Sequence, residues 1–118
     1  MYKVYGIPNC NTVKKSLDWL NKRSIKYQFH NYKKEGITAD KLNGWSKQIS
    51  WHELINRKGT TWKRLDASLQ SSITNQKAAV QLMMQFTSVI KRPIIELNDK
   101  IIVIGFDENE YQQAFDGE

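Results

Sequence analysis

At 118 residues, with 40% hydrophobic and 25% charged positions, the chain is long enough to bury a core in one domain without cross-links. Its single cysteine excludes an intramolecular disulfide, and the longest apolar run, Ile101 to Phe106, is far too short to cross a bilayer. The formal charge of +6 points to anionic partners. The lysines and arginines are scattered and form no basic block, so nucleic acid is not the expected one. The opening Met1-Tyr2-Lys3-Val4-Tyr5 lacks the basic start and apolar run of a signal peptide, and a cytoplasmic protein is expected.

A first strand at about Lys3 to Tyr5 ends at the turn residues Gly6 and Pro8. The spacing of Val13, Leu17 and Leu20 predicts a helix over Asn11 to Lys22 with those three inward. Ile25, Tyr27 and Phe29 then alternate with Lys26, Gln28 and His30, the period of a half-buried strand. Strand, helix and strand make a βαβ unit, which calls for parallel strands joined by a right-handed crossover.

Lys33 to Gly36 read as a polar turn, and Thr38 as the N-cap of a helix reaching about Gln48, with Asp40 in its first turn. Trp51 to Ile55 looks helical, Asn56 to Thr60 reads as a polar loop, and a short helix is expected around Asp66 to Ser71. Ala79, Leu82, Met83 and Phe86 fall on one face of a helix from Thr74 to Phe86, and the Met83–Met84 pair reads as core filler. Ile94 to Leu97 and Ile101 to Ile104 are β-branched runs flanking Asn98-Asp99, a hairpin signal. A last helix starts near Asp107, with Glu110 three residues on as in a capping box, and packs Tyr111, Ala114 and Phe115. The order βαβ, helices, then ββα is the α/β plan of a thioredoxin-like fold with a mixed sheet. Residues 1–118 are expected to form a single domain, with a helical insertion at about 37–87.

Chemistry concentrates at YGIPNCNTVKK, residues 5–15. Cys10 stands where a strand feeds a helix, a place where unpaired backbone N–H groups and the helix dipole favour a thiolate. Its neighbours Pro8, Asn9, Asn11 and Thr12 are turn and cap types, and Lys14 and Lys15 add positive charge within the first turn. Three residues after Cys10 stands Val13, so a second thiol for any disulfide cycle has to come from outside the chain. Arg57 and Arg92 offer planar forks suited to an oxyanion, and Pro93 follows Arg92 at the entry of a strand, where an X–Pro bond can be cis. His30 falls on the polar face of its strand, and neither it nor His52 has a cluster at metal spacing; no P-loop or dinucleotide fingerprint is present.

Taken together, YGIPNCNTVKK at 5–15, FHNYKKEG at 29–36, NRKGTTWKRL at 56–65, IKRPII at 90–95, VIGF at 103–106 and YQQAF at 111–115 resemble the ArsC-like (arsenate reductase-like) family, most closely its YffB subgroup. The resemblance implies a nucleophilic Cys10, a cis Pro93 contacting substrate, and thiolate or anion binding by Asn11, Thr12, Lys14, Arg57 and Arg92. It implies a cytoplasmic thiol reductase with glutathione as co-substrate, taking an anionic or disulfide substrate, with glutaredoxin as a further partner and no metal, nucleotide or membrane. Two alternatives come with it: a glutathione/glutaredoxin-coupled arsenate reductase, and a non-enzymatic Spx-like regulator that binds RNA polymerase. Against the arsenate reductases, this chain has Gly6 for a histidine, Val13 for a serine, Lys14 for an arginine, and Gly105-Phe106-Asp107 where a third arginine is expected. Against the Spx regulators, Val13 replaces the second cysteine of a C-x-x-C switch.

Overall fold

The computed structural model describes residues 1–116, which fall into two compact units: Met1–Lys34 with the chain from Arg92 onward, and Glu35–Lys91. The first unit holds a four-stranded sheet built from β1 (Tyr2–Gly6), β2 (Tyr27–Asn31), β3 (Ile94–Leu97) and β4 (Lys100–Ile104), in the order β2-β1-β3-β4. β1 and β2 are parallel, while β1 with β3 and β3 with β4 are antiparallel. With α1 (Asn11–Lys22) between the parallel strands and α8 (Glu108–Phe115) after the hairpin, this is the mixed α/β sheet of a thioredoxin-like fold.

The period of 2 along each strand divides the sheet into two chemically different faces. Tyr2, Val4, Ile95 and Val103 share one core with Trp19 and Leu20 of α1 and Tyr111 and Phe115 of α8. Tyr5, Ile94 and Glu96 are also buried, but their alternation along β1 and β3 puts them on the opposite face. Asn98 and Asp99 carry the β3–β4 turn, both with positive φ, the geometry of a two-residue hairpin. The register shifts between Ile95 and Glu96, leaving Ile102 as an extra residue on β4.

The α1 stripe differs from the expected one. Ser16 and Trp19 are buried with Val13 and Leu20, whereas Leu17 is only half-buried. Ser16 is accommodated because its hydroxyl lies 2.8 Å from that of Tyr111, which in turn donates to the Gly105 carbonyl at 2.5 Å. β2 begins at Tyr27, two residues later than the alternation suggested. Ser24 takes positive φ after α1, and the Ile25 N–H turns back to the Leu20 carbonyl at 3.0 Å.

The second unit is helical. After α2 (Tyr32–Glu35), a single turn where a polar turn was expected, come α3 (Ala39–Gln48), α4 (Trp51–Leu54), α5 (Thr60–Lys63), α6 (Ala67–Ser72) and α7 (Gln76–Gln85), then a 3₁₀ turn at Thr87–Val89. Thr38 caps α3 by accepting from the Lys41 N–H at 3.1 Å, and Asn75 caps α7 by accepting from the Ala78 N–H at 2.9 Å. Leu42, Trp45, Leu54, Ile55, Leu82 and Met83 are buried, and an isolated antiparallel bridge joins Ile55 to Ile90. Met84 is 44% exposed and lies outside the core, since adjacent helical positions point about 100° apart. Among the described residues no helix is long and apolar enough to cross a membrane.

Candidate active site

Cys10 is the N-cap residue of α1, with extended backbone (φ −134°, ψ 122°), and its carbonyl already accepts the Lys14 N–H at 2.9 Å. The first turn of a 12-residue helix leaves its N–H groups unpaired and facing back toward this position. The thiol closes no regular capping bond, yet the amides of Val13 and Thr12 act on its sulfur. Arg92, at the entry of β3, adds a guanidinium hydrogen bond and a positive charge. Burial of the half-exposed thiol pushes its pKa up, but the Val13 amide, the Arg92 guanidinium and the Thr12 amide together outweigh it, so the pKa lies below its ordinary value.

The turn before Cys10 is shaped by a close approach. A Cβ on Gly6 would stand 2.9 Å from Cγ2 of Val13, inside any normal contact, so β1 and α1 can meet there only through glycine. Val13, fully buried, therefore fills the space that any residue larger than glycine at position 6 would claim.

Asn11 and Thr12 open α1 with exposed side chains, and Lys14 is exposed one turn on. The Arg92–Pro93 peptide is cis, Pro93 is buried, and its carbonyl accepts the Gly105 N–H at 2.8 Å. Arg57 lies in the second unit, on the loop between α4 and α5. There its Nη2 is 3.2 Å from Nδ1 of His52, and its guanidinium carbon is 5.5 Å from the Trp62 ring centre. His52 in turn stacks on Trp51 at 3.6 Å between ring centres. Among the described residues no group of three or more His, Cys, Asp or Glu could hold a metal ion.

A second layer lies on the sheet face that carries Tyr5. The Tyr5 hydroxyl donates to Oε1 of Glu96 at 2.8 Å, both residues being buried, and the rings of His30 and Tyr32 pack 4.7 and 6.2 Å from that of Tyr5. His30, expected at the surface, is half-buried by this packing. Burial pushes the Tyr32 phenol well above its ordinary pKa, Tyr5 and Glu96 add to the rise, and Arg92 opposes it. Sequence reasoning passed over Tyr5, Tyr32 and Glu96. The available signal was an acid inside the otherwise apolar run Ile94-Ile95-Glu96-Leu97, because a fully buried carboxylate needs partners.

The ArsC family model matches residues 5–114. The chain belongs to the ArsC family. Its similarity to other members extends over nearly its whole length. A Haemophilus influenzae protein is 41% identical over 115 residues, covering 98% of this chain and 99% of that one. The solved structure of the YffB protein PA3664 is 36% identical with a TM-score of 0.89, covering 97% of this chain and 98% of that one. The global transcriptional regulator Spx of Streptococcus mutans is 26% identical over 115 residues, covering 93% of this chain and 80% of that one.

Proposed function

We propose that this ArsC-family chain is a glutathione-dependent thiol reductase with Cys10 as its nucleophile. The observation that carries this reading is the half-exposed thiol at the N-cap of α1, lowered in pKa by the Val13 and Thr12 amides and by Arg92 despite its partial burial. The Cys10 thiolate attacks one sulfur of a disulfide R–S–S–R′, forming Cys10–S–S–R and releasing R′–S⁻. With Val13 buried in the position of a resolving thiol, the chain cannot close an internal disulfide. Glutathione thiolate then attacks the R sulfur, returning Cys10 as thiolate and carrying R away as a mixed disulfide. Arg92 stabilises the thiolate both as attacking group and as leaving group, and attracts the carboxylates of glutathione.

The family resemblance also brings arsenate into view as a substrate. Here the position after β4 argues against strong oxyanion binding. Asp107 stands there as the N-cap of α8, accepting the Glu110 N–H at 2.9 Å, so this corner carries a negative charge. The likeness to Spx supports a second reading as a protein-binding regulator. It predicts that Cys10→Ser protein still captures RNA polymerase while the parent lacks reductase activity.

The test of the leading reading is mass spectrometry of the protein after brief exposure to oxidised glutathione, followed by reduced glutathione. A single glutathione adduct on Cys10 that forms rapidly and is removed by reduced glutathione is the expected result. A thiol that stays unmodified contradicts it.

A further inference from the structure

Arg57 is held by two aromatic neighbours and carries no counter-ion. Its Nη2 lies 3.2 Å from Nδ1 of His52, and its guanidinium carbon stands 5.5 Å from the Trp62 ring centre. No carboxylate pairs with it among the described residues, and the stretch NRKGTTWKRL at 56–65 has four cations and no acid. An exposed arginine is ordinarily a mobile, solvated side chain, and ordering it costs rotamer entropy. Here the support is built within the second unit. At the start of α4 the Ser50 hydroxyl accepts the His52 N–H at 3.3 Å, and just before Arg57 the Asn56 N–H donates to the Val89 carbonyl at 2.7 Å. The His52 ring is fixed in turn by its stack on Trp51, with 3.6 Å between ring centres and 24° between planes.

A guanidinium has donors and no acceptor, so the bond between these two side chains runs one way. Arg57 donates, Nδ1 accepts, and the imidazole is the neutral form with its proton on Nε2. One N–H of the fork is spent on this bond, and the others make no further hydrogen bond among the described residues. We propose that His52 is a positioning residue: its imidazole, braced by Trp51, holds the Arg57 fork ready to receive an oxyanion, either a carboxylate or a phosphate. Because the arginine is ordered before the anion arrives, less of the binding free energy is lost in ordering it. His52 acts through Arg57 and adds no contact of its own to the anion. The site lies wholly in the second unit, goes beyond the reading of Cys10 and does not depend on it.

The experiment compares the full-length parent with His52→Ala, His52→Asn and Arg57→Ala. His52 is exposed, so its replacement spares the core. Asparagine keeps an acceptor oxygen near the place of Nδ1, whereas alanine removes it. Nitrogen NMR of the guanidinium should show the two Nη atoms of Arg57 as separate signals in the parent, averaged in His52→Ala and separate again in His52→Asn. The same signals are then followed while inorganic phosphate or S-methylglutathione, a carboxylate probe with an inert sulfur, is added. The tighter of the two names the class of anion. Its affinity should be lost in Arg57→Ala, fall about threefold to tenfold in His52→Ala, and be largely restored in His52→Asn. An Arg57 that binds neither probe in the parent overturns the proposal, as does an affinity unchanged in His52→Ala. If Cys10 of the parent takes up glutathione while His52→Ala behaves like the parent, the role of His52 fails and the reductase reading stands. If Cys10 stays unmodified while the His52 effects appear, the reductase reading fails and the role of His52 stands.

Discussion

The chemistry of single side chains turns on how each polar group inside this fold is partnered. Tyr111 is fully buried, yet its hydroxyl is shared between Ser16 and the Gly105 carbonyl, which ties α1 and the end of β4 to α8. Tyr111→Phe leaves the Ser16 hydroxyl and that carbonyl without their partner, and should cost about 1–3 kcal/mol in a urea unfolding experiment. For Cys10 the same reasoning predicts a pH dependence. Folding lowers its pKa, so the stability it contributes is complete above the unfolded thiol's value of about 8.5 and is lost as pH falls through the folded value. The stability difference between the parent and Cys10→Ser should therefore grow with rising pH and level off near about 8.5. A difference that is flat with pH contradicts the lowered thiol.

Among the elements, the meeting of β1 with α1 decides what kind of site this is. Gly6 and Val13 are two of the places where the chain differs from the pattern expected of arsenate reductases, and they touch. The two departures are one packing decision: a buried valine at the third helical position requires glycine at the strand end. Gly6→Ala should cost about 1–3 kcal/mol as overpacking. In a Val13→Ala background, where the obstructing methyls are gone, that cost should fall measurably, which a double-mutant cycle of unfolding free energies reads directly. At α7, Asn75→Ala removes the side-chain acceptor for the Ala78 amide and should cost about 1 kcal/mol. Where elements obeyed local rules they were legible in the sequence. Thr38 and Asp107 cap helices, Asn98-Asp99 turns the hairpin, and the strand runs of β3 and β4 lie where their β-branched residues placed them. The misses also have local causes. Four-residue helices such as α2 and α5 bury too little of one face to show a period. β2 starts late because Ser24 adopts a left-handed conformation that no glycine or asparagine announced.

Across the whole chain, order and spacing revealed the plan of the sheet, while the buried electrostatics stayed hidden. The ββα half after a helical stretch was readable because hairpin and capping signals are local. The Tyr5–Glu96 bond joins residues 91 positions apart, and no local pattern links them. Cys10 was singled out by its neighbours, and the unpaired helix-start amides expected to favour its thiolate are those of Val13 and Thr12. The pH profile of the molecule follows from such buried groups. Burial lifts the Tyr111 pKa to about 12, Ser16 opposing the rise and Glu110 adding to it. Stability from this phenol is complete below the unfolded value of about 10 and is lost as pH climbs from there toward about 12. Alkaline unfolding followed by circular dichroism should begin in that window in the parent and lose this component in Tyr111→Phe.

The central claim is that the N-terminus of α1 and the guanidinium of Arg92 make Cys10 a thiolate nucleophile. The most direct measurement is the rate of Cys10 alkylation by iodoacetamide against pH, in the parent and in Arg92→Ala. The account predicts a parent midpoint below the ordinary value of about 8.5, moving upward when Arg92 is removed. A parent midpoint at or above that value, or one indifferent to the loss of Arg92, would contradict it.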